Sequence, residues 1–160
     1  MSTATTVREV GGEDWTVWRD IRLRALQDSP AAFGSTYARE IQFVEADWRR
    51  RLEDSDAVSV LAFHGNAPVG MGAGFSDRPG WLHVVAMWVD PGARGRGVGQ
   101  SILRAIHGWA DARGLRLHLD VSTTNPGARR AYEWYGFRVT GETRPLRDGS
   151  TELVERMVLG

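Results

Sequence analysis

The sequence predicts a single three-layer domain of the α/β class with α+β character: a mixed central sheet of six to seven strands flanked by about four helices. Three observations lead there. Strand-like and helix-like segments follow one another in the order βααβββαβαββ, which combines hairpins with one strand–helix–strand crossover. The run Trp81–Val89 is apolar almost throughout, as expected of a central strand covered on both faces. The chain has 160 residues and no low-complexity linker, repeat or shift of composition, so residues 1–160 read as one domain.

Each element has a local reason. Val7–Val10 reads as a short strand ended by Gly11-Gly12, and Asp14 is a suitable N-cap for a helix to about Gln27. On that helix Trp18, Ile21, Ala25 and Leu26 fall on one stripe. Asp28-Ser29-Pro30 breaks it, and a second helical region runs from about Ser35 to Leu52 with an interruption near Glu45-Ala46-Asp47. Val58–Phe63 and Pro68–Phe75 pair as a hairpin across His64-Gly65-Asn66. Gly70, Gly72 and Gly74 weaken the second of these strands and point to a bulge or to close packing. After Trp81–Val89 and a glycine-rich turn, a helix runs from about Val98 to Arg113, burying Ile102, Ala105, Ile106 and Trp109. Leu115–Val121 is a strand, Asn125–Tyr135 a helix, and Phe137–Thr143 and Leu153–Val158 are the last strands.

Composition removes several functions. The chain has no cysteine, which excludes disulfides, thiolate metal sites and cysteine nucleophiles. Its 20 basic residues, all arginine, balance 20 acidic ones, so no net field recruits nucleic acid or an anionic membrane. The absence of lysine removes Walker A loops and Schiff bases, and the arginine bias suggests a GC-rich, bacterial genome. No apolar run approaches the roughly 18 residues of a membrane span. Residues 1–6 lack the charged and apolar regions of a signal peptide, so a cytoplasmic protein is expected. His64, His107 and His118 are scattered on a turn, a helix and a strand, and no metal-ligand set is expected.

The stretch Val89-Asp90-Pro91-Gly92-Ala93-Arg94-Gly95-Arg96-Gly97-Val98-Gly99-Gln100 lies between a buried strand and an amphipathic helix. Glycines let the backbone wrap a ligand, and the first N–H groups of a helix present donors and a positive dipole end. Arg94 and Arg96 add charge suited to phosphate oxygens. The spacing fails the Walker A pattern for want of lysine, and neither Gly95-x-Gly97 nor Gly97-x-Gly99 has the third glycine of a dinucleotide fingerprint. Downstream, Asn125 is a good N-cap, Pro126 sits at N1 and Gly136 at C′ of a helix whose face carries Ala128, Ala131, Tyr132 and Tyr135.

Arg94-x-x-Gly97-x-Gly99 resembles the R/Q-x-x-G-x-G/A signature of the GNAT superfamily of acetyl-CoA-dependent N-acetyltransferases, introduced as there by a strand and turn, Trp88-Val89-Asp90-Pro91. Asn125-x-x-Ala128-x-x-x-Tyr132-x-x-x-Gly136-Phe137 is similar to the second signature of that family. The likeness covers roughly residues 58–160, while the first part of the chain matches in outline only. It implies a GNAT fold in which the Arg94–Gln100 segment (Arg94, Gly95, Arg96, Gly97, Val98, Gly99, Gln100) wraps the pyrophosphate of coenzyme A. It further implies that the Met87-Trp88-Val89 backbone pairs with the pantetheine arm, that Asn125 and Ala128 adjoin that arm, and that Tyr132 is the general acid to the leaving thiolate. Splayed N–H groups at the end of Trp81–Val89 would serve the thioester carbonyl, as in relatives where a bulge opens this strand.

The base is less defined. Relatives with a glutamate on this strand carry it at the position of His83, which either accepts the proton or packs while water does so. Strand alternation puts His83, Val85, Met87 and Val89 on one face. Family likeness places the acceptor between residues 28–37 and 143–151; Phe33, Tyr37 and Trp134 are candidates for an aromatic wall there, and Glu40, Glu45 or Asp77 for the partner of a cationic amine. A small-molecule amine is expected as partner. A protein N-terminus, a non-catalytic acyl-CoA-binding module and an arginine-rich nucleic-acid binder are the competing readings. Domains of this family often pair, which keeps a homodimer open.

Overall fold

The computed structural model describes residues 4–160, so residues 1–3 of the N-terminal reading lie outside it. A seven-stranded sheet runs in the order β1-β2-β3-β4-β5-β7-β6. Its strands are β1 (Thr5–Glu9), β2 (Ala57–His64), β3 (Ala67–Arg78), β4 (Trp81–Val89), β5 (Arg116–Ser122), β6 (Phe137–Pro145) and β7 (Leu153–Leu159). Five α-helices accompany them: α1 (Trp15–Asp28), α2 (Tyr37–Glu40), α3 (Glu45–Leu52), α4 (Val98–Asp111) and α5 (Pro126–Tyr135). Only β4 and β5 run parallel, joined by the α4 crossover, and every other neighbouring pair is antiparallel. No helix among the described residues is long and apolar enough to cross a membrane.

Two apolar clusters sandwich the sheet. On one face Ile102, Leu103 and Ile106 of α4 pack on Val60, Leu82, Val84 and Leu119; on the other Trp18, Ile21, Leu26 and Trp48 pack on Leu61, Met71 and Trp88. Period-two alternation explains the division, with Val60 and Ala62 turned to α4 and Leu61 turned to α1. The β3 glycines prove to be close-packing residues: a Cβ on Gly72 would stand 2.6 Å from Ile102 Cγ2 and 2.7 Å from Met87 Sδ. The lack of a side chain at Gly70 and Gly72 lets α4 lie directly on the sheet.

The helical region after Pro30 is interrupted as expected, with the break falling just earlier, over residues 41–44. Thr36 starts the first helix, its Oγ1 accepting the Arg39 N–H at 3.2 Å, and Asp47 closes onto the Val44 N–H at 2.9 Å to start the second. Some strand boundaries differ from the expected ones. The β3 strand runs on to Arg78 because its distal end stays paired with Trp81 of β4.

Candidate functional site

The site begins with a break in β4. Trp81–Val84 pairs with Arg116–Leu119 of β5, and the pairing then ends. On the β3 side, Val85 faces Ala73 and Trp88 faces Met71, so β4 carries one extra residue and Ala86 and Met87 have no ladder partner. Ala86 takes φ +60°, the one non-glycine residue with positive φ among those described. The two parallel strands therefore splay, and a cavity of about 530 Å³ opens between them. Its wall includes His83, Val85, Ala86 and Met87 of β4, Leu119–Ser122 of β5, and Asn125, Ala128 and Tyr132 of α5.

The extra residue also corrects the alternation argument. Leu82, Val84, Met87 and Val89 pack on the α4 side, whereas Ala86 and Trp88 pack on the α1 side. His83 and Met87 are thus on opposite faces, because one inserted residue reverses the parity of everything after it.

Parallel pairing sets His83 of β4 beside His118 of β5. Their Nδ1 atoms are 3.0 Å apart, and His118 Nε2 lies 3.0 Å from Asp77 Oδ1. The three groups lie within 4.8 Å of one another, but both nitrogens of His118 are engaged, so they form a linear hydrogen-bond chain rather than converging on a point. Burial, followed by the charge of His118, pushes His83 down to about 4. His118, 0% exposed, is lowered for the same first reason, burial. The scattering expected of the histidines therefore fails for His118. Asp77, expected as an amine partner, is committed to His118 instead. Beyond this chain Asp120 accepts from Arg156 Nε at 2.7 Å and from Arg144. Burial opposes its ionisation, but Arg156 outweighs it and the carboxyl stays below the usual range.

Tyr132 projects from α5 with its ring packed edge-on to Phe137, centroids 5.9 Å apart. Burial pushes its phenol up to about 12, so it is a protonated donor at neutral pH. Asn125 caps α5, its Oδ1 accepting the Ala128 N–H at 3.1 Å.

The glycine-rich turn stands at the other end of the opened strand. Gly95 and Gly97 have φ +78° and +80°, and no atom lies within 4 Å of where a Cβ would sit, so the turn is open on that side. Gly97 is the N-cap of α4; Ser101 N–H bonds back to Gly97 O at 3.0 Å, while the preceding N–H groups stand at the unsatisfied start of the helix. This is an arrangement that fits a diphosphate. Arg94 turns back on the protein, Nε to Val89 O at 2.8 Å and Nη2 to Asp28 Oδ2 at 2.9 Å. Arg96 is exposed, Val98 is buried in the core, and Gln100 Nε2 donates to Ala131 O at 3.3 Å, tying α4 to α5. The Trp88 side chain points away from the cavity and donates to Asp28 Oδ2 at 3.0 Å. Asp28 thus joins α1, β4 and the turn, a role no local pattern announced.

The acceptor-side expectations divide. Phe33 lines the cavity with Gly34, opposite Arg144 and Leu146. Tyr37 packs into the α1-side core, and Trp134 is 78% exposed on the outer face of α5; neither lines the cavity. Glu45 forms a surface pair with Arg49. Glu40 is 0% exposed and takes Arg22 Nε at 3.0 Å, Arg22 Nη2 at 3.1 Å and Arg51 Nη1 at 3.1 Å, leaving nothing for an amine. Burial works against its carboxylate, but Arg22 and Arg51 outweigh it and hold the pKa at about 2.

Comparison with known proteins places this arrangement. The acetyltransferase (GNAT) family model matches residues 17–137. The acetyltransferase Atu2258 of Agrobacterium fabrum is 36% identical over 72 residues, 45% of this chain and 52% of that protein, so the match spans about half of the relative. The peptidyl-lysine N-acetyltransferase YjaB of Escherichia coli is 31% identical over 107 residues, 63% of this chain and 67% of that one. A GNAT-family acetyltransferase structure from Streptococcus pneumoniae shares the fold with a TM-score of 0.79 at 20% identity, covering 97% of this chain and 98% of the other.

Proposed function

Because the chain belongs to the GNAT acetyltransferase family, we propose that it transfers the acetyl group of acetyl-CoA directly to a primary amine, and that the amine belongs to a small molecule. One observation carries the reading: the bulge at Ala86 opens β4 onto a cavity whose wall holds both Tyr132 and His83. The N–H groups of the turn from Arg94 to Gln100 hold the diphosphate, and the Met87–Val89 backbone, unpaired on its β5 side, receives the pantetheine arm. Bound there, acetyl-CoA supplies a thioester whose carbonyl carbon is open to attack. Amide donors freed at the bulge stabilise the carbonyl oxygen as it gains negative charge. His83 accepts the proton shed by the attacking nitrogen, and Tyr132 donates one to the departing sulfur.

A tie across the acceptor end supports a small molecule. Arg147 Nη2 reaches Pro30 O at 3.4 Å and Phe33 O at 3.3 Å, stitching the β6–β7 loop to the segment before α2. That tie crosses the path an extended peptide would take between these two segments. A lysine side chain is the second reading, favoured by the name of the Escherichia coli relative; it too would present one alkyl amine to such a pocket.

Thiol release from acetyl-CoA, followed across a panel of free amines and lysine peptides, tests the proposal. Turnover with free amines above the peptides is expected. Tyr132→Phe should cut turnover about 10²–10⁴-fold while calorimetry shows unchanged acetyl-CoA affinity. Failure of the wild type to bind acetyl-CoA, or full activity of the variant, would end this account.

A further inference from the structure

The Asp77–His118–His83 chain has a consequence for the base, and it rests on the reading of His83 given above. We infer that His118 and Asp77 are positioning residues that lock His83 in the tautomer whose Nε2 lone pair is free for the attacking amine.

The deduction starts at the outer end. Burial works against the Asp77 carboxylate, but the His118 N–H and the nearby imidazoles outweigh it, so it is ionised at neutral pH and can only accept. His118 Nε2, 3.0 Å away, must therefore carry the proton. A neutral imidazole has one N–H, so His118 Nδ1 is an acceptor. His83 Nδ1, 3.0 Å from it, must then be the donor. That leaves His83 Nε2 unprotonated, and no partner engages it among the described residues, on a side chain that lines the cavity. The rings are held in place, His118 by Trp81 edge-on at 5.5 Å and His83 by Phe75 at 5.4 Å. The charged groups facing the pair are Asp77 and Arg78 from β3, Asp120 from β5 and Arg156 from β7.

The chain also balances the proton. When His83 Nε2 takes a proton from the attacking nitrogen, the Nδ1 proton can pass to His118 Nδ1. The positive charge then rests on His118, whose Nε2–H faces the Asp77 carboxylate, and His83 returns to neutral with its proton on Nε2. Reversal of the inner transfer and loss of the Nε2 proton to water after product release restore the start. No other reactant is needed. Such orienting carboxylate–imidazole pairs are worth about 10⁴-fold in kcat where the wrong tautomer can be forced.

Asp77→Asn forces it. The asparagine amide can donate to His118 Nε2, which moves the His118 proton to Nδ1 and the His83 proton to Nε2, removing the lone pair from the cavity. Two-bond ¹H–¹⁵N spectra of the ¹⁵N-histidine-labelled protein read the four nitrogens directly. The wild type should show His83 protonated at Nδ1 and His118 at Nε2, and Asp77→Asn should invert both. The variant should lose at least 10²-fold in kcat with unchanged acetyl-CoA affinity and thermal midpoint, and Asp77→Glu should recover most of the loss. A wild-type His83 protonated at Nε2, tautomers indifferent to Asp77→Asn, or inverted tautomers with unchanged kcat would overturn the inference. A wild type with the expected tautomers that acetylates no amine would instead sink the transferase reading and leave the hydrogen-bond chain standing.

Discussion

Glu40→Gln is the sharpest probe of how the acceptor wall is held. Glu40 is fully buried and carries three guanidinium contacts, two from Arg22 and one from Arg51, and both arginines line the cavity. Its pKa falls from an ordinary 4.5 to about 2. At about 1.36 kcal/mol per pKa unit, that displacement corresponds to about 3 kcal/mol in favour of the ionised folded state. Removing the charge strands a buried Arg22, which typically costs about 3–5 kcal/mol; glutamine can still accept one bond, so the lower end is expected. For a chain of this length about 3 kcal/mol lowers the thermal midpoint by roughly 6–12 °C. The pH dependence carries the sign. A depressed carboxylate contributes its full stability above 4.5 and loses it as pH falls toward about 2. The wild type therefore comes to resemble the variant in acid. Urea unfolding of both proteins at pH 7, 5, 4 and 3 should show the gap widest at neutral pH and shrinking below pH 4.5. A gap under about 1 kcal/mol at pH 7, or one that stays constant to pH 3, would refute the reasoning.

Gly97→Val should leave the fold in place, since a Cβ there meets open space, but at φ +80° it strains the turn by about 1–2 kcal/mol and fills the concavity; calorimetry should find acetyl-CoA binding lost while circular dichroism is unchanged. Gly72→Ala should do the reverse. A Cβ 2.6 Å from Ile102 and 3.1 Å from Ile106, both with no exposure, overpacks the α4 face and should cost about 1–3 kcal/mol in urea unfolding with the coenzyme still bound by what remains folded. Asn125→Ala removes the cap on α5 and should cost about 0.5–2 kcal/mol, together with a weaker acetyl-CoA affinity if the amide also meets the pantetheine arm.

What was legible in the sequence is what backbone conformation demands locally. The turn at Gly97 needs a left-handed residue before a helix, and α5 needs a cap at Asn125, a proline at N1 and a glycine at its end; each demand selects a residue type within a few positions. The strands were legible for the same reason, since burial on both faces writes itself as an apolar run. The acceptor side obeys no such rule. Phe33, Tyr37 and Trp134 are equally aromatic, yet one lines the cavity, one joins the core and one faces solvent, because position relative to α1 and β6 decides among them. Glu40 reads as a surface acid until α1 and α3 bring Arg22 and Arg51 to it.

The bulge in β4 agrees with what the family likeness implies, but the face assigned to Met87 and Val89 by strict alternation is wrong, and the error has a single geometric origin. Ala86 has φ +60° although nothing in Val84-Val85-Ala86-Met87 signals a bulge: no glycine, asparagine or proline stands there. A positive φ at alanine costs on the order of 1–2 kcal/mol and persists only where the surroundings impose it. Here Trp88, anchored to Asp28, and Met87, seated over Gly72, hold the strand beyond the bulge in reversed parity. Up to Val84, β4 keeps regular pairing with β5, and that regular stretch sets His83 against His118; after Val84 the ladder ends and the cavity begins. The proposed base is thus the last well-ordered part of the sheet and the proposed donor site the first irregular part, which is why a reading by strict alternation finds His83 but sends Met87 to the wrong face. Local rules fail at Ala86 because opening the sheet requires breaking them.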